Sequence, residues 1–373
     1  MSKQRGWDAL NLKPTDRIPR SELSAQKHWD LVTRVTGCPV NSSLERETAS
    51  AAFIKAWDWD FFWYVYPCIN DLPPGSRMSN LPDHGGPEFL TRLNPDAPRT
   101  RMGHAEYEKK ADGQSDFSAD VSLAFQDEDE ALALDPEKAY GTFDLDSLTR
   151  EFEAVYEELN AWCPDTLHMG GVYVSLFSGL IEIFGWEMLL VLMLEPEFGK
   201  VVHGYADWSS QLFEAYARSN IPVINFHDDL CWTSGPVTHP AWYREHIFPR
   251  YREIFGRLKS AGKKILFTCD GNMTAFFDDI VDCGADMIIT EPMSDFDTFA
   301  KNHGQHTAFF GVMDTRVLLS NDKKKIFAEV ERLMNRYRHC PGFFMGVGNH
   351  IPQNTTLDAA LWYQEAYEKY AAR

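Results

Sequence analysis

The second half of the chain alternates short apolar runs with amphipathic segments. Each run is rich in β-branched or aromatic residues and leads into a polar loop, followed by a stretch whose apolar residues recur every three or four positions. The runs are IPVINF (221–226), KKILFT (263–268), ADMIIT (285–290), HTAFFGV (306–312) and GFFMGVG (342–348). Five strand–helix units in succession predict a parallel sheet.

The first half is less regular but also contains apolar runs typical of strands. DFFWYVYP (60–67) and LHMGGVYVSLF (167–177) are predicted as earlier strands. The segment 146–162 is predicted as a helix capped by Asp146 or Ser147.

Eight strand–helix units fit a chain of 373 residues. The predicted fold is therefore α/β, a single (β/α)8 TIM barrel over residues 1–373 with an N-terminal extension. Residues 71–141 are rich in Pro, Gly and Asp, and they predict a long irregular excursion that carries a hairpin. A doubly wound open sheet is the alternative, although no glycine-rich phosphate loop follows any predicted strand.

Polar residues gather directly after the predicted strands. In a TIM barrel these positions converge over the barrel mouth, so they predict one pocket lining. The residues are His227, Asp228, Asp229, Cys269, Asp270, Glu291, Asp314, Asn349 and His350. This set is rich in acids and imidazoles and lacks Lys and Arg. It therefore suits a cation or a general acid–base pair better than an anion.

Several of these residues also have a purely structural interpretation. For a lone cysteine such as Cys269, a small buried apolar residue at a strand end is the favoured interpretation. Asp270 can cap the helix predicted from Met273, and capping is the favoured interpretation of Asp314. Glu291 is consistent with a solvated acid at the rim of the pocket. The sequence alone leaves these alternatives open.

Composition and charge exclude some classes of partner. The chain is 44% hydrophobic and carries a formal net charge of −19, so it can bury a large core but has no basic excess for nucleic acid or an anionic membrane. The seven cysteines are scattered, with no CxxC pair, as is typical of reduced thiols. The opening MSKQRGWDAL lacks the apolar core of a signal peptide. We therefore expect a cytoplasmic protein.

The order of several motifs resembles the uroporphyrinogen decarboxylase superfamily, which includes decarboxylases and cobalamin-dependent methyltransferases. The motifs are FHDDLCWTSGPVTHPAWYREHIFPRY, ILFTCDGN, IITEP, FFGVMDTRVL and FFMGVGNHIPQNT, and the opening DALNLKPTDRIPR (8–20) is similar to the N-terminal signature of that superfamily. The resemblance covers essentially the whole chain and is strongest from about Gly171. It implies a TIM barrel.

Departures from the family pattern indicate which of the two activities of the superfamily, decarboxylation or methyl transfer, this chain is nearer to. True uroporphyrinogen decarboxylases follow the RIP segment with an arginine-rich stretch that grips propionates, whereas this chain has only Arg20 in IPRSELSAQKHWD (18–30). A substrate with eight carboxylates would also be repelled by Asp228, Asp229, Asp270 and Glu291. The resemblance is therefore nearer to the corrinoid-dependent methyltransferase branch.

The methyltransferase branch binds zinc, often through a His-x-Cys element at the strand end that Thr268, Cys269 and Asp270 occupy here. The histidine of that pattern is replaced by Thr268, and the position of the cysteine falls on Asp270. The resemblance then implies metal ligands drawn from Cys269, Asp270, Glu291 and His350. Three protein ligands with an open fourth position suit a catalytic zinc.

The function that the resemblance implies is transfer of a methyl group from a small ether, amine or thiol to a corrinoid on a separate protein. Zinc would act as a Lewis acid on the heteroatom while cobalt(I) attacks the methyl carbon. We predict catalytic roles for His227, Asp228 and Asp229. The predicted substrate-binding residues are Trp232, Asn272, Met293 and Asn349. The many aromatic residues permit an aromatic methyl donor. The sequence does not determine the oligomeric state, and a homodimer is one option.

Two other functions remain open from sequence. One is a metal-independent decarboxylase or other lyase of the same fold, in which Asp228, Asp229 or His350 protonates a carbanion. The other is a non-catalytic protein that binds a tetrapyrrole or corrinoid. A glycosidase, which also uses paired carboxylates in a barrel, is a weaker alternative.

Overall fold

The computed structural model describes residues 2–64, 87–102 and 120–373. Its centre is a five-stranded parallel sheet in the order β3-β4-β7-β8-β9. These strands are β3 (Gly170–Val172), β4 (Val223–His227), β7 (Lys264–Thr268), β8 (Met287–Ile289) and β9 (Ala308–Phe310). Four of the five coincide with apolar runs predicted as strands in the second half of the chain, and β3 lies within the strand predicted over 167–177. Lys264 apart, which is half-buried, every residue of these five strands is buried, as expected for a parallel sheet covered by helices.

Single parallel bridges extend this sheet beyond both of its edges. They join Ser21 to Phe61, Phe61 to Leu167, Phe309 to Phe343 and Arg20 to Met345. Parallel pairing therefore passes through eight segments of the chain and returns to the first. The predicted α/β barrel fold is confirmed, with the segments around Arg20, Phe61 and Phe343 completing the ring.

α-Helices surround these strands. Before β3 they are α1 (Ser2–Leu10), α2 (Trp29–Thr36), α3 (Ser43–Ala56), α4 (Glu128–Leu132), α5 (Pro136–Tyr140) and α6 (Leu145–Trp162). After β3 they are α7 (Phe177–Leu192), α8 (Phe198–Arg218), α9 (Pro240–His246), α10 (Phe248–Ser260), α11 (Phe277–Cys283), α12 (Phe296–Asn302), α13 (Thr315–Leu319), α14 (Lys323–Tyr337) and α15 (Leu357–Tyr370). Among the described residues no helix combines the length and apolarity needed to cross a bilayer.

Aromatic layers hold the helices against the sheet. The ring of Phe226 in β4 lies 4.6 Å from that of Phe213 in α8 and 4.9 Å from that of Tyr251 in α10, centroid to centroid. Phe255, one turn after Tyr251, also contacts Phe226. Burying each large apolar side chain stabilises the fold by about 2 kcal/mol. The outer face of β4 is thus fixed in the core, which fixes the direction of the residues that follow it.

The part of the chain before β4 departs from the sequence prediction in detail. The strand predicted over 167–177 ends at Val172, and α7 already begins at Phe177. Helix α6 is capped by Asp144, not by Asp146 or Ser147, because the Asp144 carboxylate accepts the backbone N–H groups of both residues.

The excursion contains an antiparallel pair, β1 (Arg101–Met102) with β2 (Asp120–Ser122), where the sequence predicted a hairpin. The connection between these strands, residues 65–67 of the predicted strand 60–67, and Cys68 lie outside the described residues. Two further short strands, β5 (Cys231–Trp232) and β6 (Gly235–Pro236), form a small antiparallel hairpin after β4. This hairpin stands beside the carboxyl end of the sheet.

Candidate active site

The end of β4 supplies the centre of the candidate site. His227 is the last residue of the strand, and Asp229 lies two positions later, so both side chains leave the strand on the same face. Nε2 of His227 is 3.1 Å from Oδ1 of Asp229. Both residues are buried, and a buried imidazole–carboxylate pair is a common element of metal sites and acid–base catalysis.

Asp228 faces the other side of the strand. Its Oδ2 accepts the N–H of Phe177 at 2.8 Å, the N–H of Leu176 at 3.2 Å and the hydroxyl of Tyr251 at 2.5 Å. Its Oδ1 accepts the N–H of Ser178. The carboxylate therefore caps the start of α7 and joins it to α10. The catalytic role predicted for Asp228 stays untested, but these bonds occupy both of its oxygens.

Asp229 is held by three further hydrogen bonds. The Tyr173 hydroxyl donates to its Oδ2 at 3.1 Å, and the backbone N–H of Asp270 donates to its Oδ1 at 3.0 Å. Its own N–H donates to Oγ of Ser178 at 2.9 Å. Burial acts to raise the pKa of Asp229, but the nearby His227 and these hydrogen bonds hold that pKa below its ordinary value. The ionised form of Asp229 is thus favoured.

Asp270 brings a second carboxylate to the same place from the end of β7. Its carboxylate accepts no hydrogen bond from the residues that the structure describes. Burial, reinforced by the negative charges of Asp229 and Glu291, raises its pKa well above the ordinary value. A carboxylate in this position is short of positive charge, so a bound cation would stabilise its ionised form.

Ligand atoms of His227, Asp229 and Asp270 all lie within 4.8 Å of one another. One imidazole nitrogen and two carboxylate oxygens form a donor set that suits a divalent metal such as zinc. The lack of a hydrogen-bond donor for the Asp270 carboxylate, within the described chain, agrees with that use. The residues present therefore fit a metal ion with three protein ligands.

Cys269 points away from this group. Its Sγ is fully buried, lies 3.3 Å from the N–H of Leu230 and donates to the carbonyl of Asp270 at 3.2 Å. Burial, with Cys231 close by, raises the pKa of the Cys269 thiol well above its usual range. The metal-ligand role predicted for Cys269 stays a prediction, and the three clustered ligand atoms do not include its sulfur.

A chain of hydrogen bonds continues from this cluster to the last strand ends. Oε2 of Glu291 accepts the N–H of Gly271 at 2.7 Å, and Oε1 lies 3.5 Å from Nδ2 of Asn349. Oδ1 of Asn349 is 2.6 Å from Nδ1 of His350. The structure thus links Glu291 and His350, two predicted ligands, to the loop that carries Asp270.

His350 is a neutral imidazole at physiological pH. Burial, together with the positive charges of His28 and Lys27, lowers its pKa to about 4. Burial also raises the pKa of Glu291. Neither residue therefore places a permanent positive charge beside Asp270.

The predicted substrate-binding residues differ in their surroundings. Trp232 is 40% exposed, and its ring lies edge-on to that of Trp186, 5.9 Å away. Met293 is half-buried. Oδ1 of Asn272 is occupied locally, since it accepts the hydroxyl of Thr274 at 2.7 Å. Trp232 is therefore open to a ligand, whereas Asn272 serves its own turn.

A polar layer beneath the cluster was not predicted from the sequence. Thr268, at the position of the family histidine, accepts the indole N–H of Trp63 at 3.1 Å and donates to Oδ1 of Asn225 at 2.7 Å. Tyr173 and Ser178, which bind Asp229, were also missed. They lie beyond β3. Placing them at the barrel mouth would have required knowing from the sequence that this strand ends at Val172.

Arg20 takes no part in the site. It is fully buried, its Nη2 lies 3.3 Å from Oε1 of Glu22, and its guanidinium stacks 4.5 Å from the Trp57 ring. It also bridges to Met345 through its backbone. The arginine that follows the RIP segment therefore holds the first and last barrel segments together and is unavailable to a substrate carboxylate.

Comparison with solved structures first defines the class of fold. A methyltransferase from Methanosarcina mazei matches 99% of this chain and 98% of its own, with a TM-score of 0.61 and 14% sequence identity. At this identity the likeness establishes a shared fold. A D-psicose 3-epimerase from Clostridium cellulolyticum H10, in complex with D-tagatose, matches 61% of this chain and 86% of its own at 10% identity, with a TM-score of only 0.36.

The second half of the sequence is also similar to a known family. Residues 186–370 match the uroporphyrinogen decarboxylase (URO-D) family. This match to the second half of the chain agrees with the resemblance that the motifs implied. No curated protein matches the chain significantly.

Proposed function

We propose that this protein is a methyltransferase that removes a methyl group from a small ether, amine or thiol and passes it to a corrinoid protein. The observation that carries the proposal is the group formed by His227, Asp229 and Asp270 at the carboxyl ends of β4 and β7. It lies in a barrel that matches a methyltransferase over almost its whole length.

In this proposal His227, Asp229 and Asp270 hold a zinc ion, with Glu291 beside them. When bound, the metal would supply Lewis acidity, which makes the heteroatom that loses the methyl group a better leaving group. The set differs from the one expected at first, because His227 and Asp229 replace Cys269 and His350. A His/Asp/Asp set is harder than one with a thiolate, which favours an oxygen or nitrogen donor over a thiol.

Other contacts in the site hold the proposed ligands in position and form the mouth of the pocket. In the metal-free site Asp229 orients the ring of His227 through the 3.1 Å contact, and the backbone N–H of Asp270 holds Asp229 in turn. Glu291 holds the Asp270–Gly271 turn in place through the N–H of Gly271. The exposed ring of Trp232 offers an apolar surface at the mouth for the methyl donor. The corrinoid protein would dock over the same mouth.

A direct test uses free cob(I)alamin in place of the unidentified corrinoid protein. Purified protein with one equivalent of zinc is mixed with cob(I)alamin and, in separate reactions, a methoxylated aromatic compound, a methylamine and a methanethiol. We expect methylcobalamin, followed by its absorption spectrum, with at least one donor and none after zinc is removed with a chelator. Absence of methylcobalamin with every donor would count against the proposal.

One observation favours a lyase as the second candidate. Burial and the neighbouring negative charges raise the pKa of Asp270, which favours its protonated form. A proton on this carboxyl group at the barrel mouth could be delivered to a carbanion formed by loss of carbon dioxide. The family that the sequence matches is also described by a decarboxylase. Carbon dioxide release that persists in the chelator-treated protein would favour this candidate.

A further inference from the structure

We infer that Tyr173 is a positioning residue of the metal site, holding the Asp229 carboxylate in the orientation that metal binding needs. The inference rests on the metal site of the proposed function, but not on methyl transfer. Tyr173 lies just beyond β3, at a position that the sequence did not single out.

The geometry connects this one side chain to two members of the cluster. Its hydroxyl donates to Oδ2 of Asp229 at 3.1 Å. Its ring packs edge-on against the imidazole of His227, with 4.9 Å between centroids and an angle of 79° between planes. The ring therefore limits how His227 can tilt, while the hydroxyl limits how the Asp229 carboxylate can rotate.

The two oxygens of Asp229 are used differently. Oδ1 contacts Nε2 of His227 and accepts the N–H of Asp270, whereas the Tyr173 hydroxyl binds Oδ2. A metal ligated by Nε2 of His227 takes the place of the proton on that nitrogen, so the hydrogen bond from His227 to Oδ1 is lost. The bond from Tyr173 involves neither that nitrogen nor Oδ1, and it can remain.

After that exchange, the Tyr173 hydroxyl is one of two donors that the described residues leave on the Asp229 carboxylate. A hydroxyl that donates to a carboxylate stabilises its ionised form, which is the form that ligates a metal. Donors behind a ligating carboxylate typically change metal affinity 10- to 100-fold when they are removed. Loss of the Tyr173 hydroxyl should therefore weaken metal binding without removing any ligand.

The test is the zinc dissociation constant of Tyr173→Phe, measured by competition with a chromophoric chelator in the absence of any methyl donor. We expect zinc binding about 10- to 100-fold weaker than in the wild type. The visible spectrum of the cobalt(II)-substituted variant should also change, since it reports ligand geometry. Because no methyl donor is used, failure of methyl transfer would leave this result intact.

Tyr216→Phe is the matched control. It removes another buried tyrosine hydroxyl, one that donates to the carbonyl of Gly171 at 3.0 Å and contacts none of the three ligands. We expect zinc affinity and cobalt spectrum as in the wild type, and similar urea unfolding curves for both metal-free variants. Unchanged zinc affinity in Tyr173→Phe, equal losses in both variants, or no zinc binding by the wild type would overturn the inference.

Discussion

Asp228 and Asp229 are neighbours in the chain, yet their carboxylates serve opposite sides of the barrel wall. Asp228 receives the N–H groups that open α7, whereas Asp229 contacts His227. The alternation of side chains along an extended backbone separates them. These contacts tie Asp228 to the start of α7 and Asp229 to the candidate site, although the two side chains are chemically identical.

The substitutions Asp228→Asn and Asp229→Asn should therefore have different consequences. An amide at position 228 presents an NH2 group or a weaker acceptor to backbone N–H donors, so we expect the free energy of unfolding to fall by about 2–3 kcal/mol. Zinc affinity should change little. Asp229→Asn should lower zinc affinity more than tenfold. Urea unfolding and chelator competition measure the two effects, and a similar loss of zinc affinity in both variants would contradict this division.

Cys269 and Asp270, which follow β7, are alternative metal ligands that substitution can distinguish. Asp270→Ala removes a carboxylate of the clustered group, so the purified variant should contain little or no zinc. Cys269→Ala removes a thiol that packs against Cys231 and the N–H of Leu230, so zinc content should stay at the wild-type level. Elemental analysis of the three proteins decides the question. Loss of zinc in Cys269→Ala alone would restore the thiol as a ligand.

These cases show what the sequence could predict and what it could not. The apolar runs placed β4, β7, β8 and β9 because a buried parallel strand has a recognisable composition. Convergence of the strand ends then brought Asp229, Asp270 and Glu291 into one neighbourhood. The sequence did not predict the direction of each side chain, because Cys269 and Asp270 lie beyond the last regular residue of β7. There the backbone no longer alternates predictably.

The positions of residues outside the recognised strands were harder to predict from the sequence. Tyr173 belongs to the turn between β3 and α7, and Ser178 lies in the first turn of α7. The start of that helix depends on tertiary contacts with Asp228. Asp144 caps α6 and lies two residues before Asp146 and three before Ser147, the residues predicted for that role. Local sequence offered several acceptable caps, and packing selected one of them.

Gly271 is the residue that allows the Asp270 turn to form. Its φ is +80°, and a Cβ atom there would lie 2.6 Å from the carbonyl oxygen of Cys231 and 2.7 Å from that of Trp232. Gly271→Ala should therefore destabilise the fold by about 1 kcal/mol from backbone strain and about 1–3 kcal/mol more from overpacking. It should also displace Asp270 and weaken zinc binding.

Gly262→Ala provides the control for backbone strain alone. Its φ of +77° is nearly the same, but nothing lies within 4 Å of the added Cβ. We expect a loss of about 1 kcal/mol in unfolding free energy and unchanged zinc affinity. Urea unfolding of both variants measures the difference. Equal destabilisation would show that the backbone oxygens of the β5–β6 hairpin yield to the methyl group.

Glu182 should make the stability of the protein depend on pH. This residue of α7 is buried and lies 3.4 Å from the guanidinium of Arg99. Burial raises its pKa from 4.5 to about 7, against the opposing effect of Arg99. Between these two pH values the native carboxyl holds a proton that the unfolded chain has released. The free energy of unfolding contributed by this group therefore falls as the pH rises through that window.

The difference between the two pKa values corresponds to at most about 3 kcal/mol, because one pKa unit is about 1.4 kcal/mol. Glu182→Gln removes the titration while keeping the shape of the side chain. We expect the variant to gain stability over the wild type at pH 8 and to approach it at pH 5, as measured by urea unfolding at both pH values. Other buried acids, such as Asp60, titrate equally in both proteins and cancel in the difference. A pH-independent difference would mean that Arg99 keeps Glu182 ionised throughout.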